Sequence, residues 1–258
     1  YHENACRKIN EWVEDQTAGK VTNLISPEAL SEVTRLLLVN AIYFKGIWTT
    51  TFEESGTKEA PFHIDLSNKI KVQMMHQHTE CAYANVGGVQ VLDLPYGNHD
   101  LSMIVLLPNR VDGLAELEAA LSVSNVNKWL KALLPQPIKV FLPKLRLTEQ
   151  FALSGVLKSM GMATAFDISA ADFFGITDPG ACILVPICIS EVIHKASVEV
   201  NEEGTQAAVA TAVTMGYVGM PPPVPVFRAD HSFIFMIRHN KSGSILFMGR
   251  VVNPLDAD

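Results

Sequence analysis

The stretch Glu202-Glu203-Gly204-Thr205-Gln206-Ala207-Ala208-Val209-Ala210-Thr211-Ala212-Val213-Thr214 decides how this 258-residue chain is interpreted. It follows Ile189–Val200, an apolar run that predicts a buried strand. No charged residue occurs between Glu203 and Arg228, whereas most connecting segments are polar. The stretch consists mainly of Ala, Val and Thr and leads into Pro221-Pro222-Pro223-Val224-Pro225, an extended tract that cannot join the interior of a sheet.

Alternation within this stretch predicts a segment that can change its secondary structure. In an extended strand, one face would carry Thr205, Ala207, Val209, Thr211 and Val213, and the other Gln206, Ala208, Ala210, Ala212 and Thr214. Side chains of this size fit between two existing strands, and Gly204 supplies a hinge. The sequence thus predicts a loop that can also become a strand, which is a two-state element. The same composition fits a plain helix or an ordinary strand.

Outward from this stretch, helix-like and strand-like segments predict an α+β fold with large antiparallel sheets. Cys6, Ile9 and Val13 share one face of an opening helix that ends near Gly19. The nearly continuous apolar run Val33–Trp48 predicts a central strand covered on both faces. Other predicted strands are Lys71–Met75, Gln90–Leu94, Leu101–Leu107, Ile138–Leu147, His231–Arg238 and Ile245–Val252, with hairpin chemistry at Tyr96-Gly97-Asn98. Helices are predicted for Leu114–Leu134 and after a cap at Thr148.

Composition disfavours several classes of function. The formal net charge of -7 gives no encouragement to nucleic-acid binding, and no apolar run reaches the roughly 20 residues of a membrane span. The motifs GxSxG, HExxH and the P-loop do not occur, which disfavours an enzyme. His76 and His78 lack a placed carboxylate or cysteine partner, so solvated loop histidines are predicted. Neither a metal nor a cofactor is expected.

The cysteines and one sequon bear on the compartment. Cys6, Cys81, Cys182 and Cys188 include no CxxC pair and are too few for a disulfide scaffold, so buried free thiols are expected. A bridge between Cys182 and Cys188 in an oxidising compartment stays open. Asn240-Lys241-Ser242 is a glycosylation sequon that matters only in a secreted protein.

Six segments together resemble one known family. Besides Glu202–Ala208, they are Asn40-Ala41-Ile42-Tyr43-Phe44-Lys45-Gly46-Ile47-Trp48, Phe141–Lys144, Val192–Ala196, Phe227–Phe233 and Leu246–Pro254. In this order they resemble motifs of inhibitory serpins, and the similarity covers the whole chain. The first of the five resembles the strand that borders the family's insertion site, and Val192–Ala196 resembles the strand that leads into its hinge.

The resemblance implies a suicide inhibitor of a serine protease. In serpins the protease attacks an exposed reactive loop and forms an acyl-enzyme, and the cleaved loop then inserts into the main sheet and traps the protease. The family's spacing from Gly204 places the scissile bond between Val218 and Gly219, which favours an elastase-like target. If the register is shorter by one residue, Tyr217 instead of Val218 would enter the primary specificity pocket of the protease and become the primary residue. That would favour a chymotrypsin-like target. The hinge would comprise Glu202, Glu203, Gly204, Thr205, Gln206, Ala207, Ala208, Val209, Ala210 and Thr211.

Other positions carry implied roles. Asn40 and His194 match residues that hydrogen-bond beneath the opening point of the sheet, and Trp48 matches the tryptophan where the loop first enters. Lys144 and Glu202 match a pair that can form an ion pair beside the hinge. The chain departs from the family at Ser232, where Pro is usual, and in a longer Asp178–Cys188 stretch.

The expected organisation is a single serpin domain over 1–258 that lacks the family's N-terminal third, with the reactive loop at about 202–226. A non-inhibitory carrier or chaperone and an inactive truncated isoform are the alternatives, and the small hinge residues favour inhibition. Val89–Leu107 and the Met-Gly-Tyr-Val centre of the loop resemble secreted arthropod serpins, including those of tick saliva, which implies an extracellular location. The expected partner is a serine protease bound covalently to a monomer, with no nucleic acid and no membrane.

Overall fold

The computed structural model describes residues 2–176, 187–204 and 223–255. Its α-helices are α1 His2–Gln16, α2 Leu114–Ala120, α3 Val123–Lys131 and α4 Ser154–Leu157. Its strands are β1 Leu36–Lys45, β2 Lys58–His63, β3 Lys69–Val86, β4 Val89–Tyr96, β5 Leu101–Pro108, β6 Leu134–Pro143, β7 Leu145–Ala152, β8 Ile189–Val200, β9 Val226–Arg228, β10 Phe233–His239 and β11 Ile245–Val251.

The larger sheet has the strand order β11-β10-β5-β4-β3-β6-β9, with β2 paired to the first part of β3. Its neighbouring strands are antiparallel except β6 and β9, which are parallel. The predicted hairpin at Tyr96-Gly97-Asn98 is confirmed, since β4 pairs with β5 and Gly97 has a φ of 47°. The α+β fold with mostly antiparallel sheets is therefore confirmed.

The core beside this sheet lies between β4, β5 and β10 and the helices α2 and α3. Its buried side chains are Val89, Val91, Ile104, Leu106, Leu117, Trp129, Ile234 and Met236. Each large apolar side chain of this kind stabilises the fold by about 1.5–3 kcal/mol relative to exposure. The prediction of one helix over Leu114–Leu134 is wrong, because the Ser122 hydroxyl accepts a hydrogen bond from the Asn125 N–H at 3.2 Å and starts a second helix.

The smaller sheet has the strand order β1-β8-β7 and packs against α1. The buried side chains of this core are Cys6, Val13, Val21, Leu24, Ile25 and Ile193. The predicted opening helix is confirmed, and its end is fixed by Gly19, which has a φ of 73° and donates its N–H to the Glu14 carbonyl at 2.8 Å. Cys6 and Cys81 are buried free thiols, as expected, whereas Cys188 is a free thiol that is only half-buried.

Two predictions about this sheet are wrong. Within the described residues β1 has one neighbouring strand, β8, and alternate side chains such as Leu38 and Ile42 stay exposed, so β1 is not covered on both faces. Thr148 does not cap a helix: it lies in β7 with its hydroxyl 3.0 Å from that of Ser197, and α4 begins later, at Ser154.

The contacts of the chain group it into two compact units. Within the described residues, one holds 2–44, 147–176 and 187–198, and the other holds 45–146, 199–204 and 223–255. The single domain over 1–258 stays a prediction. No helix of the described residues is long and apolar enough to cross a membrane.

Candidate functional site at the base of the loop

The chain that leaves β8 is attached to residues 48–52 through its backbone. The Trp48 N–H donates to the Glu203 carbonyl at 3.0 Å, and the Phe52 N–H donates to the Glu202 carbonyl at 3.2 Å. Gly204 forms a parallel bridge with Trp48. We call residues 201–204 the loop base. These backbone contacts hold the loop base against residues 48–52 up to the last described residue before the loop.

Trp48 forms the platform under the loop base. Its indole N–H donates to the Asn201 carbonyl at 2.7 Å, and the side chain is 2% exposed. Its ring stacks on Tyr96 with centroids 4.3 Å apart and meets Phe52 edge-on at 5.8 Å. Gly46 makes this packing possible, since a Cβ there would overlap the Tyr96 ring.

Glu202 turns its carboxylate inward. The residue is 6% exposed, and Lys144 Nζ lies 2.7 Å from Oε2 while the Thr57 hydroxyl donates to Oε1 at 2.7 Å. Burial alone would raise the pKa of this carboxyl, but the hydrogen bonds from Lys144 and Thr57 outweigh it and the pKa is lowered. The structure thus brings Lys144 and Glu202 together as an ion pair.

Glu203 has a partner that sequence reasoning missed. Lys45 Nζ lies 2.7 Å from Glu203 Oε1 and 3.6 Å from Glu199 Oε1, so one ammonium holds two carboxylates. The hydrogen bond from Lys45 lowers the pKa of Glu203. Lys45 stands inside the quoted segment Asn40–Trp48, but only the pairing of strands distant in sequence shows that it faces the loop base.

Gly204 is required by space. A Cβ at this position would lie 2.6 Å from both the Cα and the hydroxyl oxygen of Thr51, closer than real Cβ atoms approach backbone. The backbone of the loop base therefore packs directly on the backbone of Thr51. Glycine at this position is therefore favoured by the lack of space for a Cβ as well as by the backbone flexibility expected of a hinge.

The comparisons with known proteins decide the family. A family model described as serpin (serine protease inhibitor) matches residues 1–254. The chain is a serpin. It is 40% identical over 258 residues to a leukocyte elastase inhibitor of Xenopus tropicalis, covering 98% of this chain and 67% of the relative. It is 41% identical over 251 residues to serpin B10 of Rhinolophus ferrumequinum, covering 96% of this chain and 62% of the relative.

Solved structures agree with this assignment. Uncleaved ovalbumin matches with a TM-score of 0.84 and 32% identity, over 98% of this chain and 63% of that chain. Native protease nexin-1 with heparin matches with a TM-score of 0.81 and 30% identity, over 97% of this chain and 65% of that chain. The chain thus spans roughly two thirds of the length of its relatives. As a member of a family of protease inhibitors, this serpin is not an enzyme.

Asn40 and His194 do not form a hydrogen bond with each other in the described part of the chain. Asn40 is exposed on β1, and His194 is half-buried on β8 with its ring stacked on Phe151 at 6.3 Å. Among the described residues of this serpin no hydrogen bond joins them. Their role beneath the opening point of the sheet stays a prediction.

Several candidate positions of this serpin lie outside the described residues: 205–211 of the hinge, 217–219 around the scissile bond, and Cys182. The sequon residue Asn240 is described and half-buried. Its side-chain amide donates to the His99 carbonyl at 2.8 Å and to the Ser102 hydroxyl at 2.9 Å. A glycan on this nitrogen would replace a hydrogen that now takes part in a hydrogen bond.

Proposed function

We propose that this serpin is a suicide inhibitor of a serine protease, with residues 202–226 as its reactive loop. The observation that carries the proposal is the order β1-β8-β7. β1 contains the segment resembling the border of the insertion site, and β8 contains the one leading into the hinge. They are direct neighbours, and no described strand lies between them. This arrangement suits a sheet that has not yet received the loop.

The loop base supports the same proposal. Backbone bonds hold Glu202 and Glu203 on residues 48–52, and two lysines hold their carboxylates. These contacts anchor the loop on its N-terminal side while it is offered to a protease. Insertion would have to move this anchored segment, so the strength of the anchor opposes insertion before cleavage.

The covalent step that we propose is ordinary acyl transfer interrupted by insertion. The protease serine attacks the Val218 carbonyl, the bond to Gly219 breaks, and the new amine leaves with a proton, which leaves an ester between the serine and Val218. About 14 residues between Gly204 and Val218, at roughly 3.3 Å each, would carry the ester about 45 Å along the sheet. Distortion of the protease then prevents water from hydrolysing the ester.

The residue that enters the primary specificity pocket determines which class of serine protease attacks the loop. Val218 suits a pocket that accepts small aliphatic side chains, which favours an elastase-like protease. Tyr217 is the alternative and favours a chymotrypsin-like protease. The leukocyte elastase inhibitors among the relatives support the first assignment.

The test uses the protein at its full natural length. It is mixed with an elastase-like and a chymotrypsin-like protease, and denaturing electrophoresis detects a covalent complex while mass spectrometry identifies the released C-terminal peptide. A complex with a peptide that starts at Gly219 is expected. A peptide that starts at Val218 would move the primary residue to Tyr217.

Cleavage without a complex by both proteases, and without a rise in thermal stability, would contradict the proposal. The protein would then be a protease substrate, as expected of a carrier or chaperone. A variant with Thr205→Arg is the matched control, because a long charged side chain at the start of the insertion is unlike the small residues that follow it. It should be cleaved at the same bond and form much less complex.

We also propose an extracellular location, supported by the resemblance to secreted serpins and by the sequon at Asn240, although a glycan there requires the amide to give up a hydrogen bond to His99 or Ser102. A mass decrease after treatment with an N-glycosidase, lost in Asn240→Gln, is the expected result. An unmodified Asn240 in protein from its natural source would remove this support.

A further inference from the structure

The outer side of β3, β6 and β9 carries basic residues that the loop base does not use. In the strand register, Phe141 stands opposite His76 on one side and Arg228 on the other, and His78 stands opposite Lys139. Lys58, at the start of β2, borders this group. We call Lys58, His76, His78, Lys139, Phe141 and Arg228 the basic face. His76 and His78 thus lie in a strand, and their prediction as loop residues is wrong.

The centre of the basic face is a stack of three side chains. The His76 ring stacks on Phe141 with centroids 4.5 Å apart, and the Arg228 guanidinium carbon lies 3.7 Å from the centre of the Phe141 ring. A guanidinium held against an aromatic ring is fixed in place while its N–H donors remain available. Arg228 is therefore arranged in advance to bind an anionic group.

The positive side chains of the basic face form no ion pair within the described part of the chain, although Glu80 lies two residues after His78 on the same strand. Among the described residues, no carboxylate lies within ion-pair distance of Lys58, Lys139 or Arg228. Burial lowers the pKa of His76, and the nearby charges of Lys139, Arg228, His78 and Lys58 lower it further. The whole chain has a formal charge of -7, so a cluster of positive side chains is not expected from its overall composition. Like charges held together in this way repel, and an acidic partner would relieve the repulsion.

The basic face lies close to the proposed scissile bond along the chain. β9 begins at Val226, eight residues after Val218, so the two are at most about 28 Å apart. A protease of about 230 residues has a radius of gyration of about 17 Å, and a sphere with this radius of gyration is about 45 Å across. The body of a protease that holds the bond at its surface is therefore wide enough to reach the basic face. Val224 and Val226, which precede Arg228 in the chain, are exposed, and Val226 pairs with Lys139, so they add apolar surface near the basic face. Arginine and aromatic side chains with apolar neighbours are typical of protein interfaces.

We propose that the basic face is a second docking surface for the target protease, which binds an acidic patch beside the protease's active site and speeds the encounter. The inference rests on the proposed function for the identity of the partner. Complementary charge of this kind raises association rates by about 10–1000-fold at low salt.

The experiment compares an anionic and a cationic isoform of one pancreatic elastase-like protease, which share a primary pocket and differ in surface charge. The second-order rate of attack on the loop of the full-length protein is measured at about 25 mM and about 500 mM NaCl. We expect the anionic isoform to react about 10-fold faster at low salt and the difference to vanish at high salt.

Paired variants then locate the effect. Lys58→Gln combined with Lys139→Gln should lower the rate of the anionic isoform by about 3–10-fold and bring the two isoforms together. Lys128→Gln combined with Lys131→Gln makes the same change of charge on exposed positions of α3 and should keep the wild-type ratio. A wild-type ratio in the first double variant, or an equal loss in the second, would overturn the proposal.

The readouts separate this inference from the proposed function. Cleavage without a covalent complex contradicts suicide inhibition, but the cleavage rates still give the ratio between isoforms. If neither isoform cleaves the loop, their inactive serine-to-alanine forms are used instead. The ratio of the rates at which these two forms bind the full-length protein then replaces the ratio of cleavage rates. Weaker retention of the first double variant on a sulfated-polysaccharide column, with an unchanged ratio between isoforms, would overturn the docking surface in favour of a polysaccharide site.

Discussion

The loop base and the basic face lie in the same compact unit and handle charge in opposite ways. Each carboxylate of Glu202 and Glu203 has a lysine ammonium at 2.7 Å. In the described residues, Lys58, Lys139 and Arg228 have no carboxylate at such a distance. Paired, buried charges fix a segment in one arrangement, whereas unpaired charges leave their binding capacity for a partner. The comparison predicts that changes at the loop base affect stability and that changes at the basic face affect association.

The largest effect on stability is expected from Gly204→Ala. The new Cβ would lie 2.6 Å from Thr51 backbone, so the loop base must move away from it. We expect a loss of about 2–3 kcal/mol in the free energy of unfolding, measured by urea denaturation. Gly155→Ala, where no atom lies within 4 Å, is the control and should change stability by less than about 1 kcal/mol. Similar values for both variants would show that the loop base tolerates separation from Thr51.

Glu202→Gln tests the buried ion pair. It removes the charge that holds Lys144 and should cost about 1–2 kcal/mol, discounted because Lys144 is partly exposed. The control is Glu59→Gln, which breaks an exposed pair with Lys71 at a similar distance and should cost less than about 0.5 kcal/mol. An equal cost in both variants would mean that burial adds nothing to the pair at the loop base.

The same carboxyl predicts a dependence on pH. Because the pKa of Glu202 in the folded protein lies below its ordinary 4.5, its contribution is complete above pH 4.5 and is lost as the pH falls through the folded-state value. The difference in unfolding free energy between wild type and Glu202→Gln should therefore shrink in acid, as measured from about pH 7 to about pH 2.5. A difference that stays constant would contradict the lowered pKa.

The smallest effect on stability is expected at the basic face. Lys58→Gln combined with Lys139→Gln removes two charges without a described carboxylate partner, so the free energy of unfolding should change by less than about 0.5 kcal/mol. If the free energy of unfolding fell by as much as expected for Glu202→Gln, the basic face would contribute to stability as the loop base does, and the comparison would be wrong.

The sequence predicted elements better than contacts between them. Trp48, Lys144 and Glu202 could be assigned to one region because their segments match known motifs. The contact of Lys45 with Glu203 could not, because it joins positions 158 residues apart and depends on which strands pair. The stack of His76, Phe141 and Arg228 likewise depends on the register of three strands. The break between α2 and α3 was missed because the apolar spacing continues through Ser122, whose capping bond shows only in three dimensions.

The packing of Trp48 gives the protein an optical reporter of its own state. The chain has three tryptophans, of which Trp12 is 59% exposed and Trp129 is a buried residue of α3. Only Trp48 donates its indole N–H to the loop base and stacks on Tyr96. With Trp12 and Trp129 replaced by Phe, a change in the remaining emission would time the detachment of residues 201–204 on contact with a protease, without an added label.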